Sequence, residues 1–187
     1  MKVAAIVLAA GASRRLGQPK QNILLGGETL LERTVRVAKL AGLDPVYVVV
    51  APGQELSSLP FATMLFNPNA PEGMAASIRT GVLAAGGDGA EGAVILACDQ
   101  PAVTPEHLSS IVGDRTAIVA SSYAGRKGVP AYFPAATFEQ LLELRGDIGA
   151  RQLISNVSAM ELANGDLDID TEEDLARAQT IYSTAKR

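Results

Sequence analysis

The sequence predicts an α/β protein: a three-layer, mostly parallel sheet with helices on both faces. Two observations carry that prediction. Continuous runs of β-branched and aliphatic residues at 3–8, 46–50 and 93–97 lack the alternation of a half-exposed strand, and suit strands covered on both sides. Between them stand segments with helical spacing and clear start signals. Strands alternating with helices imply right-handed crossovers and parallel pairing.

Taken in order, the first run stops at Gly11. Thr29-Leu30-Leu31-Glu32 has capping-box spacing, and Leu31, Val35 and Ala38 follow at helical intervals until Gly42 offers a stop. Pro45 releases the chain into the strand at 46–50. A strand over 62–66, a helix over 74–85 and the strand at 93–97 follow, the last running into Cys98-Asp99. Thr104-Pro105 supplies an N-cap and a first-turn proline for the next helix. Residues 118–121 and 131–133 read as short strands and 138–144 as a helix. Thr171, with Asp174 three residues on, opens a final helix carrying Leu175, Ala178 and Ile181. Neither a repeat nor a low-complexity linker divides the chain, so 187 residues are expected to form one domain, 1–187.

Composition narrows the function. Apolar residues make up 48% and charged residues 19%, far from the signature of disorder. A net charge of -4 opposes binding to extended nucleic acid, which demands a broad basic face. Cys98 is the single cysteine and His107 the single histidine, which excludes an internal disulfide framework and a His/Cys zinc set and fits a reducing cytoplasm. No apolar run approaches the roughly 20 residues that span a bilayer, so no membrane partner is expected. Met1-Lys2 followed by an apolar run superficially copies a signal peptide, but a buried first strand is the better reading.

In open α/β sheets ligands bind beyond the carboxyl ends of the strands, which is where Gly11 and Asp99 fall. The segment 8–20 combines small residues, which let the backbone approach a ligand, with Arg14, Arg15 and Lys20 and no acid. It is neither a Walker A loop nor a dinucleotide fingerprint, because both spacings are absent. By itself it is an anion cradle or an ordinary strand-to-helix turn. Asp99 stands at the tip of a buried run, where a carboxylate suits a hard cation with oxygen ligands. Asp168-Ile169-Asp170-Thr171 adds a second acidic pair before a helix, whose plainer role is helix capping. Glu173 and Asp174 read as structural, Cys98 as a buried filler and His107 as a surface residue.

Four ordered motifs, Leu8-Ala9-Ala10-Gly11-x-Ser13-x-Arg15-x-Gly17-x-x-Lys20, Glu72-Gly73-Met74 with Ser77 and Arg79-x-Gly81, Asp99-Gln100-Pro101, and Asp168-x-Asp170-Thr171, cover nearly the whole chain. Together they resemble the molybdenum-cofactor nucleotidyltransferases, within the Rossmann-like, glycosyltransferase-A-like group. The resemblance implies a nucleotide site in which Leu8, Ala9, Ala10, Gly11, Ser13, Arg15, Lys20, Ser77 and Asp99 take part. Arg15 and Lys20 would lie on the triphosphate, with Ala9, Ala10 and Ser77 near the base. Lys20, Arg15 and Asp99 would be catalytic. Asp99 would bind Mg²⁺ with Asp170 or Asp168. Leu-Ala-Ala-Gly is similar to the cytidylyltransferase form, which favours CTP over GTP. The implied acceptor is molybdopterin or another small phosphate such as a sugar phosphate, with Arg126 and Arg151 as acceptor-binding candidates; Val129 departs from the family's frequent histidine there. A molybdoenzyme or its chaperone is the implied protein partner, and a non-catalytic cofactor-delivery role is the competing reading.

Overall fold

The computed structural model describes residues 2–11, 16–54, 59–113 and 115–182. In chain order the strands are β1 (Val3–Leu8), β2 (Leu24–Leu25), β3 (Glu28–Thr29), β4 (Val46–Val50), β5 (Thr63–Phe66), β6 (Gly92–Ala97), β7 (Val119–Tyr123), β8 (Arg126–Pro134) and β9 (Ser158–Glu161). The helices are α1 (Leu30–Leu40), α2 (Met74–Gly87), α3 (Pro105–Val112), α4 (Phe138–Leu142), α5 (Arg151–Ile154) and α6 (Glu172–Tyr182).

Seven strands form one sheet in the order β5-β4-β1-β6-β8-β7-β9. Parallel pairing joins β5, β4, β1 and β6, and again β7 and β9. β8 runs antiparallel to both its neighbours, so it is the reversed strand of an otherwise parallel sheet. β2 and β3 make a separate small hairpin.

The continuous apolar runs have the expected cause. Val3, Ala5 and Val7 face one layer, where α1 and α3 contribute Val35, Ala38, Leu108 and Ile111. Ala4 and Ile6 face the other, where α2, α4 and α5 contribute Ile78, Val82, Phe138, Leu141 and Ile154. Ile6 is 0% exposed, and full burial of such a side chain contributes about 1.5–3 kcal/mol. On that face α2 approaches closely at Gly81, where an added Cβ would lie 2.3 Å from Ile6 Cγ2. A third, smaller core joins Leu16, Ile23, Leu25 and Leu30 to Leu167, Ile169 and Ala178.

Helix starts follow the sequence signals. Thr29 and Glu32 form a complete capping box on α1: Glu32 N donates to Thr29 Oγ1 (3.1 Å) and Thr29 N to Glu32 Oε2 (2.7 Å). Thr104 caps α3 by accepting from His107 N (3.2 Å). At α6, Thr171 N donates to Asp174 Oδ2 (2.9 Å) and Asp174 N to Thr171 Oγ1 (3.2 Å).

Several expectations change. β8 is nine residues rather than the three at 131–133, because Arg126-Lys127-Gly128 pairs with β7 beyond a register shift at Ala120/Ser121. α4 ends at Leu142, not 144. The sequence reading omitted the β2–β3 hairpin, α5 and β9. His107 is not a surface residue: it is half-buried, with Nε2 2.7 Å from Ser121 Oγ on β7. Because the Ser121 hydroxyl donates to Pro130 O (2.6 Å), the imidazole Nε2–H is its donor. Burial lowers the His107 pKa from its ordinary 6.5.

Candidate active site

A cleft of about 880 Å³ opens at the carboxyl ends of β1 and β6. Leu8 to Gly11 form one wall directly after β1, with Ala9 buried and Ala10 half-exposed. Ala97, Cys98 and Asp99 follow from β6, and Lys20, Gln21 and Asp170 line the same space. The opposite wall is Pro71, Glu72, Gly73, Met74 and Ser77, with Val129 and Asp147 beside it.

The charged centre of this cleft is Lys20. Its Nζ donates to Asp99 Oδ2 at 2.9 Å and also contacts Asp170 Oδ1. All three side chains are largely buried, with 16%, 21% and 28% exposure for Lys20, Asp99 and Asp170. Burial lowers the lysine pKa, but the two carboxylates outweigh it and hold the ammonium above its ordinary value. Ion pairing across 79 and 150 residues needs a fixed frame, and the backbone supplies one. Ile169 N donates to Asp99 O at 3.0 Å, stitching the 168–170 segment to the tip of β6. Asp174 Oδ2 accepts from Asp170 N at 3.2 Å. From α1, Arg33 donates to Pro101 O (3.1 and 3.3 Å) and so holds the turn that follows Asp99.

Asp168 goes elsewhere. It does not line the cleft, and its carboxylate lies 3.7 Å from Arg126 Nη2. Burial, and then the nearby Asp99 charge, raises its pKa to about 6. Arg126 also lies over the Tyr123 ring, 5.3 Å from its centroid. Neither Arg126 nor Arg151 lines the cleft, and Arg151 begins α5. Ser13 and Arg15 lie outside the described residues.

The far wall is built by close backbone approach. Gly73 has φ 108° and ψ −178°, and a Cβ there would stand 2.6 Å from Gly146 O. Ala75 N donates to Gly146 O and Met74 N to Asp147 Oδ1, both at 3.1 Å, so the 146–147 turn satisfies the start of α2. Arg79 braces this corner through Leu144 O (2.7 Å) and Glu72 (3.1 Å).

Some of the machinery is not marked in the sequence. Asn67, 2% exposed, donates through Nδ2 to Ser77 Oγ at 3.0 Å and fixes that hydroxyl on the cleft wall. It sits in Asn67-Pro68-Asn69, which reads as an ordinary turn. Tyr123 Oη donates to Val129 O (3.0 Å) and accepts from Gln100 Nε2 (3.3 Å), so the residue after Asp99 steadies the Val129 side of the cleft. Cys98 is buried, and burial pushes its thiol pKa far up, so it is no thiolate nucleophile.

Asp99 and Asp170 present carboxylate oxygens, hard donors, to the Lys20 ammonium between them. No group of three or more His, Cys, Asp or Glu gathers as a metal centre among the described residues. Two carboxylates suit an ion that takes its remaining ligands from water and phosphate, as Mg²⁺ does beside nucleotides. Among the described residues no helix is long and apolar enough to cross a membrane.

Residues 5–162 match the MobA-like NTP transferase domain. The chain is 33% identical to the purine catabolism protein PucB of Bacillus subtilis (strain 168), covering 90% of this chain and 92% of that one. It is 30% identical to the molybdenum cofactor guanylyltransferase of Rhodobacter capsulatus, covering 96% of each. Crystals of Rv0371c from Mycobacterium tuberculosis H37Rv give a TM-score of 0.78 at 31% identity, covering 96% of this chain and 98% of that one. A manganese complex of the same protein gives 0.75 at 27%, with the same coverage. With its mostly parallel sheet and a cleft at the strand ends, the chain belongs to the MobA-like NTP transferase family and is a nucleotidyltransferase.

Proposed function

We propose that the protein transfers a nucleoside monophosphate from a nucleoside triphosphate to a phosphorylated acceptor, molybdopterin, and releases pyrophosphate. The observation that carries this reading is Lys20 held between Asp99 and Asp170 on the floor of a cleft bounded by Leu8 to Gly11. An acceptor phosphate oxygen attacks the α-phosphorus, the bond from that phosphorus to the bridging oxygen breaks, and the electron pair leaves with pyrophosphate. This chemistry needs alignment and charge neutralisation rather than a protein nucleophile. Lys20 would neutralise the leaving phosphates, and Ala10 and Gly11, just past Ala9, whose own N–H is given to Val49 O at 2.9 Å, would offer small residues and backbone N–H groups to the nucleotide. Ser77, fixed by Asn67, would contact its base side. Asp99 and Asp170 would hold Mg²⁺, which when bound neutralises triphosphate charge. Arg15 and Ser13 would add contacts to the phosphates, Asp168 would be the alternative metal-holding carboxylate to Asp170, and Arg126 and Arg151, which lie outside the cleft lining, would bind the acceptor; residues 1–187 would act as one domain.

Ala10 favours CTP, since its methyl occupies the position of the first glycine in the Leu-Ala-Gly-Gly form. A second reading, GTP, is favoured by a relative named for guanylyl transfer. The test is a panel of the four nucleoside triphosphates with molybdopterin or sugar phosphates, assayed for pyrophosphate. Metal-dependent release with one nucleotide, lost in Asp99→Asn, is the expected outcome. Tight nucleotide binding with no turnover on any acceptor would favour a delivery role instead.

A further inference from the structure

We infer that Gln21 is a further substrate-binding residue, whose buried side-chain amide is kept without a partner in the free protein and donates a hydrogen bond to an acceptor atom of the nucleoside triphosphate. The inference rests on the reading of the cleft as a nucleotide site.

Gln21 is 2% exposed and yet lines the cleft. Among the described residues its Nε2 has no hydrogen-bond partner. A buried N–H left without an acceptor costs more than an ordinary hydrogen bond returns, so folded proteins keep few of them. Neighbouring polar side chains of the cleft are engaged. Ser77 Oγ accepts from Asn67 Nδ2 (3.0 Å), and Gln54 Oε1 accepts from Ala51 N (3.0 Å). Glu72 accepts from Arg79 (3.1 Å) and Asp147 Oδ1 from Met74 N (3.1 Å). Gln100 also has a buried atom without a partner, Oε1, but it does not line the cleft, and its amide nitrogen donates to Tyr123 Oη (3.3 Å). Gln21 alone of these two faces the space a ligand would fill.

The amide is also fixed in advance. It belongs to the 3-10 turn Lys20–Asn22, where Asn22 N donates to Pro19 O (3.1 Å) and Ile23 N to Lys20 O (3.0 Å), and Ile23 is buried in the third core. A packed donor loses little further freedom when a ligand arrives. Being uncharged, it adds nothing to charge neutralisation; it reads one oxygen or ring nitrogen at one point. The free protein thus gives up stability for a contact that only the ligand completes, as binding sites commonly do.

The test pairs calorimetric titration with thermal unfolding of the full chain, native and Gln21→Met, a side chain of similar length without a donor. The four nucleoside triphosphates are titrated with Mg²⁺ and no acceptor, and inorganic tripolyphosphate is titrated beside them. Gln21→Met should bind the preferred nucleotide about three- to tenfold more weakly. Its Tm without ligand should rise by about 2–4 °C, because the unpartnered N–H is gone. A residue that merely supports the fold would not move these two readings in opposite directions. Equal weakening towards tripolyphosphate puts the bond on a phosphate oxygen, and weakening confined to the nucleotide puts it on the base or ribose. Gln21→Leu repeats both measurements should the methionine variant fail to fold. Native nucleotide affinity in these variants overturns the inference, as does a lower Tm, the result expected if a water on the amide braces the free protein. Native protein that binds none of the four nucleotides removes the nucleotide reading itself, and the inference with it.

Discussion

Replacing Gly73 with alanine should both destabilise the protein and open one wall of the cleft. The position has φ 108° and ψ −178°, and a Cβ would sit 2.6 Å from Gly146 O and 2.7 Å from Gly146 C. Backbone strain of this kind costs about 1–3 kcal/mol. Moving the 146–147 turn away also stretches the bonds from Ala75 N and Met74 N, each contributing about 1 kcal/mol net. The reduced freedom of the unfolded alanine chain returns about 0.4–1 kcal/mol. The expected net loss is about 2–4 kcal/mol, read as a lower midpoint in urea unfolding followed by circular dichroism. Gly87→Ala is the control. It closes the same helix, no atom lies within 4 Å of its Cβ, and its backbone is not left-handed, so it should stabilise by about 0.4–1 kcal/mol. Because Met74 and Asp147 line the cleft, Gly73→Ala should also raise the KM for the nucleotide. A Gly73→Ala protein as stable as the native one, beside the expected gain in Gly87→Ala, would refute the claim that close backbone approach builds this wall.

Removing the Thr171 hydroxyl should cost about 0.5–2 kcal/mol by thermal unfolding, as at other helix caps. Asp174→Ala should lower turnover beyond its stability effect, since Asp174 also holds Asp170 N; unchanged kcat would show that Asp170 needs no such support. Asn67→Ala leaves the buried Ser77 hydroxyl without its donor and should cost about 1–3 kcal/mol in unfolding free energy. His107 stays neutral in the folded protein below its ordinary pKa of 6.5. As pH falls through 6.5 the unfolded chain takes up a proton that the folded chain refuses, so stability falls in that window. His107→Gln should flatten this part of the profile, and parallel native and variant curves would remove His107 as its source.

The legible parts of the fold were those with strong internal signals. β1, β4 and β6 are buried on both faces, so their runs are unbroken. α1 and α3 announced themselves through Thr29 and Thr104. The β2–β3 hairpin has strands of two residues, too short for any period, and β9 is exposed at all four positions. β8 was underestimated because its first residues are polar and pair at the sheet's outer end. Asp99 stood out as a charge ending an apolar run. Which of Asp168 and Asp170 lines the cleft was not legible, because it depends on the hydrogen bond from Ile169 N to Asp99 O and on the nearby Arg126, both long-range. Asn67 was hidden for the same reason: its partner, Ser77, lies across the cleft wall on α2.

The small third core carries a consequence of a different kind. Leu16, Ile23 and Leu25 flank the turn bearing Lys20, while Leu167 and Ile169 flank the segment bearing Asp170. The two partners of one ion pair are thus mounted on a patch of seven buried residues that is separate from both layers of the main sheet. Opening that patch would part Lys20 from Asp170 while leaving β1 and β6, and Asp99 at its tip, in place. Hydrogen exchange should therefore find the amides of 22–30 and 167–178 opening together, with less free energy than those of β1 and β6. If so, the Lys20–Asp170 pairing would follow a subglobal opening rather than global unfolding, and substitutions at Ile23 or Leu167 would lower activity without touching either the sheet or the charged pair.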